Sequence, residues 1–229
     1  AADGAVGAFA TASKRAVLLY PGMKVWAEEL EADVVEPYSA HFAGVMAAAD
    51  LERGYWWSPS NKEIAGITGV ERPLTASLND ASSEANQLNE AGIVTVFSAW
   101  GTGVRTWGNR SAAWPSSTHP SNFICVQRTA DVLHESVEQA ILQLLDYPLD
   151  AALIDAVLAT VNSFIRTLIG RGALIEGACT YDPNKNPATE LSLGHLVFDL
   201  AFLPPVAAER FTFESFIDIS LLSQLTVEG

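Results

Sequence analysis

The chain has 229 residues, 49% of them hydrophobic and 17% charged, so it can bury a sizeable core and is no disordered tail. Its 27 acidic residues against 13 basic ones leave a net charge of -14, and a surface that negative repels nucleic-acid phosphates and anionic lipid. A basic or polar protein partner is easier to accept, and acidity serving solubility alone is the plainer reading. Cys125 and Cys179 lie among apolar neighbours and outside any CxxC pair, so they read as small buried hydrophobes rather than a disulfide framework. That fits synthesis in a cytoplasm. No apolar run reaches the roughly 18 residues expected of a membrane span, and the apolar N-terminus lacks the basic region of a signal peptide.

Residues 1–14 read as the remnant of a preceding helix, which gives the chain the look of a fragment. Arg15–Tyr20 is a short apolar run closed by Pro21-Gly22 and reads as a strand buried on both faces. From about Val34 to Arg53 the pattern turns helical: Pro37 suits a first turn, Tyr38, Phe42, Val45 and Ala49 form a stripe, and Gly54 follows the end. GYWWSPSNKEIAGITGVERP (54–73) is an ordered loop, because Tyr55, Trp56 and Trp57 must pack somewhere. A short helix around Ser82–Glu90 stops at Gly92. IVTVF (93–97), the turn SAWGTG and the strand VRTWGNR then form a hairpin.

Two long helices follow. Ser121 is the expected cap of the first, whose stripe is Val126, Ala130, Leu133, Val137, Ile141 and Leu144, with a break at Tyr147-Pro148. The second begins near Asp150 with the stripe Leu153, Val157, Val161, Ile165 and Leu168, and stops at Gly170 or Gly172. The end reads as β-rich: ALIEGACTY, HLVFDLAFL and ERFTFESFIDI, with Pro204-Pro205 between the last two. The whole is expected to be one α/β (α+β) domain over residues 1–229, a mixed sheet flanked by helices.

Catalytic chemistry finds no support. His41, His119, His134 and His195 are scattered; His134 shares a helix face with Asp131 and Glu138, for which a solvated polar face is the ordinary reading. GTGVRTWG is no phosphate loop, since Thr106 stands where the third glycine belongs and no GK[ST] follows; a hairpin turn needing positive φ accounts for its glycines. No G-x-S-x-G elbow occurs. Asn109-Arg110-Ser111 matches a glycosylation sequon, which has no meaning for a chain made in a cytoplasm. No cofactor or metal is expected.

Four stretches carry a resemblance: RAVLLYPGMKVW (15–26), residues 54–73, LNEAGIVTVFSAWGTGVRTWGNR (88–110), and the helical block from about Gln127 to Gly172. Their order resembles the tail-sheath proteins of contractile phages and R-type bacteriocins, especially the P2-like branch. The most specific pieces are W-SPSN-x-x-I-x-G-[IV]-x-G, here Trp57, Ser58, Pro59, Asn61, Gly66 and Gly69, and G-[VY]-R-x-W-G-N-R, here Arg105, Trp107, Gly108, Asn109 and Arg110. R-T-x-D at 128–131 fits too. The turn SAWGTG is longer and more apolar than the family's acidic turn, and WPSSTHPSN is unusually rich in Pro and Ser; both are loop positions.

The resemblance implies a structural, non-enzymatic subunit that stacks in six-membered rings around an inner tube and contracts without nucleotide to drive the tube through an envelope. It implies neighbouring sheath subunits, the tube protein and baseplate proteins as partners, with no nucleic acid and no membrane insertion, and a place in a virion tail or bacteriocin particle. Terminal arms would link neighbours by adding strands, and residues 221–229 are the expected C-terminal arm. Trp107 would anchor the hairpin while Asn109 and Arg110 fix the loop that follows. The rival readings are an α/β enzyme or ligand-binding domain and another virion component such as a baseplate protein.

Overall fold

The computed structural model describes residues 13–98, 101 and 103–220. The expected N-terminal helix remnant and the C-terminal arm at 221–229 lie outside the described residues. Strands and helices are interspersed along the chain as a mixed α+β fold. The strands divide among three small sheets rather than one.

The central sheet has the order β1-β5-β6. β5 (Ile93–Ser98) is its middle strand, parallel to β1 (Leu18–Leu19) and antiparallel to β6 (Val104–Trp107). The four residues from Ile93 to Val96 are all buried, which suits a β-branched run with a neighbour on each side. Burial on both faces therefore belongs to β5. The 15–20 segment supplies only a two-residue edge strand, partly buried. Gly101 and Gly103 in the hairpin turn both take positive φ, 73° and 71°.

A second sheet, β3-β2-β4, joins β2 (Met23–Ala27), β3 (Ala32–Glu36) and β4 (Gly69–Val70), all antiparallel. The helix expected from Val34 thus starts later. α1 spans Tyr38–Arg53, and Val34 and Val35 belong to β3, paired with Val25 and Lys24. Pro37 is the extended residue before the helix (φ -60°, ψ 131°) rather than part of its first turn. The stripe is as read: Tyr38, Phe42 and Ala49 are buried and Val45 packs beside them. The Tyr38 hydroxyl donates to the Thr95 carbonyl at 3.0 Å, and burial pushes its pKa up. These side chains share a core with Met23, Ile64, Val94, Val96 and Ile124.

α2 (Glu84–Glu90) leads into β5, and α3 (Ile124–Leu142) and α4 (Ala151–Arg171) are the two long helices. Ser121 does not cap α3. It sits in a 3₁₀ turn (Pro120–Asn122), and its N–H donates to His119 Nδ1 at 3.1 Å. α3 ends before Tyr147-Pro148, at Leu142. α4 starts where read: Asp150 Oδ1 accepts from Leu153 N at 2.8 Å. It closes in a Schellman motif on Gly172 (φ 79°), with Ala173 N donating to Leu168 O and Gly172 N to Ile169 O.

By length and composition α4 is apolar enough to cross a membrane, unlike the reading above. Its stripe of Val157, Val161, Ile165 and Leu168 is instead buried with Leu133 and Leu174. Its Asn162 exchanges two hydrogen bonds, both 2.9 Å, with the backbone of Cys179.

That residue lies in β7 (Glu176–Tyr181), which pairs antiparallel with β8 (Phe198–Leu203) after a short helix α5 (Ala188–Leu191). The third expected strand, 209–219, does not form within this chain. Those residues are exposed and carry no strand, with Phe213 89% and Ile217 95% accessible, because no described segment pairs with them. Leu133 is fully buried in the α3–α4 core, so Leu133→Ala is expected to cost about 3 kcal/mol in urea-induced unfolding at unchanged slope.

Candidate functional site

β6 has β5 on one edge, and its other edge needs a partner. The loop carrying the first motif fills it. Asn61 N donates to Thr106 O (2.7 Å), Thr106 N to Lys62 O (2.8 Å), and Ile64 N to Val104 O (3.0 Å). Thr106 is fully buried, and its hydroxyl donates to Pro59 O at 2.6 Å and accepts from Lys62 N at 3.1 Å. Ser58 Oγ accepts from Ser60 N and Ser60 Oγ from Gly108 N (2.9 Å), so the serines tie the loop to the second motif. Asn61 takes a left-handed φ of 59°, and its side chain accepts from Arg105 Nη1 at 3.2 Å.

Gly66 turns the chain toward β4, where Gly69 pairs with Lys24. Trp57 is 43% exposed with the Arg53 guanidinium over its ring at 4.8 Å, whereas Trp56 packs into the α3–α4 core. Plain core packing therefore describes Trp56 and not Trp57.

The second motif turns the corner out of β6. Trp107 packs on Phe97 (4.9 Å between centroids). Asn89 holds the corner by an amide whose NH₂ donates to Ile93 O (2.8 Å) and Trp107 O (3.0 Å) and whose carbonyl accepts from Trp107 Nε1 (3.0 Å). Gly108 has φ 120°, and a Cβ there would stand 2.6 Å from the Asn89 amide; only glycine fits. Asn109 is buried, and its carbonyl accepts from Ile124 N at 3.1 Å. That bond satisfies a free amide at the start of α3, the role expected of Ser121. Its side-chain amide donates to Cys125 Sγ (3.3 Å), where burial pushes the thiol pKa up.

Arg110 has the most partners. Its guanidinium lies 3.8 Å from the Phe123 ring centroid and 4.3 Å from that of Trp114. It donates to Asn122 Oδ1 at 2.6 Å and by a two-pronged contact to Glu209 (Nη2–Oε2 2.6 Å, Nε–Oε1 3.0 Å). The eleven motif residues thus do not converge on a pocket. They form a continuous scaffold from residue 57 through β6 to the start of α3.

The R-T-x-D stretch ties α3 to what precedes it: Arg128 forks onto Asp50 of α1, and Arg15 donates to both carboxylate oxygens of Asp131 (2.9 and 2.6 Å). The Arg15 hydrogen bonds hold the Asp131 carboxyl below the usual carboxylate range. His134 stacks edge-on against Phe202 rather than joining Asp131. Among the described residues no group of three or more His, Cys, Asp and Glu could hold a metal ion. Asn89, Asn122 and Glu209 were not singled out from the sequence; an Asn just before the β5 run was the one available signal, and Glu209 carried none.

Two family models match the chain end to end. Residues 1–112 match the phage tail sheath protein central domain, and residues 116–218 match the phage tail sheath C-terminal domain. The chain belongs to the phage tail sheath family. It is 47% identical over 221 residues to a tail sheath protein of Burkholderia phage BcepMu, covering 96% of this chain and 46% of that protein. To a putative prophage major tail sheath protein of Pseudomonas aeruginosa it is 34% identical over 204 residues, covering 88% and 52%. The chain spans about half the length of the curated relatives it matches.

Among solved structures, the sheath complex of an extracellular contractile injection system in the contracted state aligns with TM-score 0.80 at 20% identity, over 96% of this chain and 60% of that one. The baseplate structure of the anti-feeding prophage aligns with TM-score 0.78 at 20% identity, over 90% and 56%. These likenesses show a shared sheath-type fold. The two models meet between residues 112 and 116, so in this sheath chain Arg110 lies in the first segment and its partners Phe123 and Glu209 in the second.

Because the Thr106 hydroxyl holds the loop edge from within the core, Thr106→Val is expected to destabilise the chain by about 1–3 kcal/mol in chemical denaturation. Amide exchange should rise first at residues 59–64. A cost near zero with those amides still protected would contradict the assignment.

Proposed function

We propose that this chain is the working body of a contractile tail-sheath subunit, a structural and mechanical part without catalytic function. The observation that carries this is the succession of two sheath family models over residues 1–112 and 116–218, reinforced by 47% identity to a phage tail sheath protein. In this reading residues 1–229 behave as a single sheath-type domain. The subunit stacks in hexameric rings around an inner tube, contacts the baseplate at one end, and contracts from a metastable extended packing to drive the tube through a cell envelope. Synthesis and assembly take place in the host cytoplasm, and the product resides in a virion or bacteriocin tail.

The motif residues Trp57 to Gly69 and Arg105 to Arg110 act as scaffold, keeping the body rigid while subunits swing. Residues 221–229 are the C-terminal arm in this reading, adding a strand to a neighbour. The charge of -14 favours a basic or polar surface on the facing partner.

Negative-stain microscopy of the complete gene product tests this. Helical cylinders of contracted-sheath type are expected, and deletion of residues 221–229 should abolish them. Soluble monomers at high concentration from the intact gene product would overturn the proposal.

A further inference from the structure

The end of the described chain is held down and then released over a very short distance. After β8, Pro204 is buried and Ala207 packs beside Phe123, yet every residue from Ala208 to Ser220 is exposed. Within that exposed run Phe211, Phe213, Phe216, Ile217 and Ile219 are 73–95% accessible. An apolar strip of that kind is costly to leave in water. Within this run Glu209 grips the body through the two-pronged contact with Arg110.

Arg110 is well placed to bear a load. Its guanidinium is trapped between two rings and pinned by Asn122, and its side chain is only 18% accessible. It also sits one residue beyond Asn109, whose carbonyl holds the start of α3. A planar fork sandwiched in this way has one orientation, and so has the carboxylate that meets it.

We propose that Arg110 is a fixed post and Glu209 the tie fastened to it, so that the pair sets the point and direction at which the apolar strip 211–219 leaves the body. Resting on the function proposed above, the occupant of the strip is a second copy of this chain, presented with it from a defined position. Arg110 and Glu209 are positioning residues and touch no partner themselves.

The unassembled 229-residue chain tests the tie directly. In Glu209→Gln and Glu209→Ala, tryptic cleavage after Arg210 should rise about tenfold, with amide exchange in β5 and α3 still protected. Arg110→Lys, which keeps the charge and loses the fork, should release the segment in the same way. Unchanged cleavage in the Glu209 variants would overturn the tie, and so would loss of amide protection throughout the body.

The complete gene product tests the presentation. Given normal wild-type cylinders, Glu209→Ala should lower their yield at least severalfold, and an unchanged yield would overturn that half. Failure of the wild type to form cylinders would count against the sheath function, while the cleavage measurement on the unassembled chain would still decide the tie.

Discussion

The free edge of β6 is the constraint on which the rest of the motif geometry depends. A four-residue strand with one neighbour leaves backbone donors and acceptors that must be paired once the strand is buried. A segment 40 to 45 residues upstream pairs them, and it does so around a hydroxyl with no exposure to water. That closure has consequences in both directions along the chain. Upstream it brings Trp56 to the α3–α4 core and leaves Trp57 under Arg53. Downstream it fixes Gly108, hence the corner at which Asn109 meets α3 and Arg110 enters its sandwich.

From that corner the chain is cross-tied. Arg110 to Glu209, Asp50 to Arg128 and Arg15 to Asp131 each join a residue of the segment matching the central-domain model to one of the segment matching the C-terminal model. Exposed ion pairs contribute little to stability individually. Two-pronged arginine–carboxylate pairs do specify an angle, and under the proposed mechanical role a fixed angle matters more than a few tenths of a kcal/mol. The apolar contacts run the same way, with Ile124 of α3 packed among Phe42, Ile64 and Val94.

Much of this was legible in the sequence, and the misses have a common cause. The α1 stripe, the hairpin at 93–107 and the limits of α4 were readable because their signals are local: a 3.6-residue period, β-branched runs, a capping Asp and a terminal Gly. Only Val34–Glu36, the end of β3, was absorbed into the helix, and the β2–β3 hairpin went unread because its turn, Glu28 to Glu31, lacks Gly or Asn; Glu31 takes φ 45° without a residue type that announces it. Ser121 looked like a cap because a serine precedes an apolar period, but the amide was already taken by Asn109 from across the fold. The alternating pattern at 209–219 is strand-like, yet β propensity is realised only beside a partner strand, and among the described residues there is none. The motif residues were visible as a cluster of Trp, Gly, Asn and Arg. Their partners Asn89, Asn122 and Glu209 were not, since spacing says nothing about what lies opposite a guanidinium.

Equilibrium unfolding bears most directly on the proposal that the chain is one body. Tryptophan fluorescence, with five of the six tryptophans before residue 112, reports chiefly that segment, while amide exchange in α4 reports the segment after it. A single urea transition with coincident midpoints for both probes is the predicted result. Two separated transitions, one for the segment before residue 112 and one for the segment after it, would contradict it.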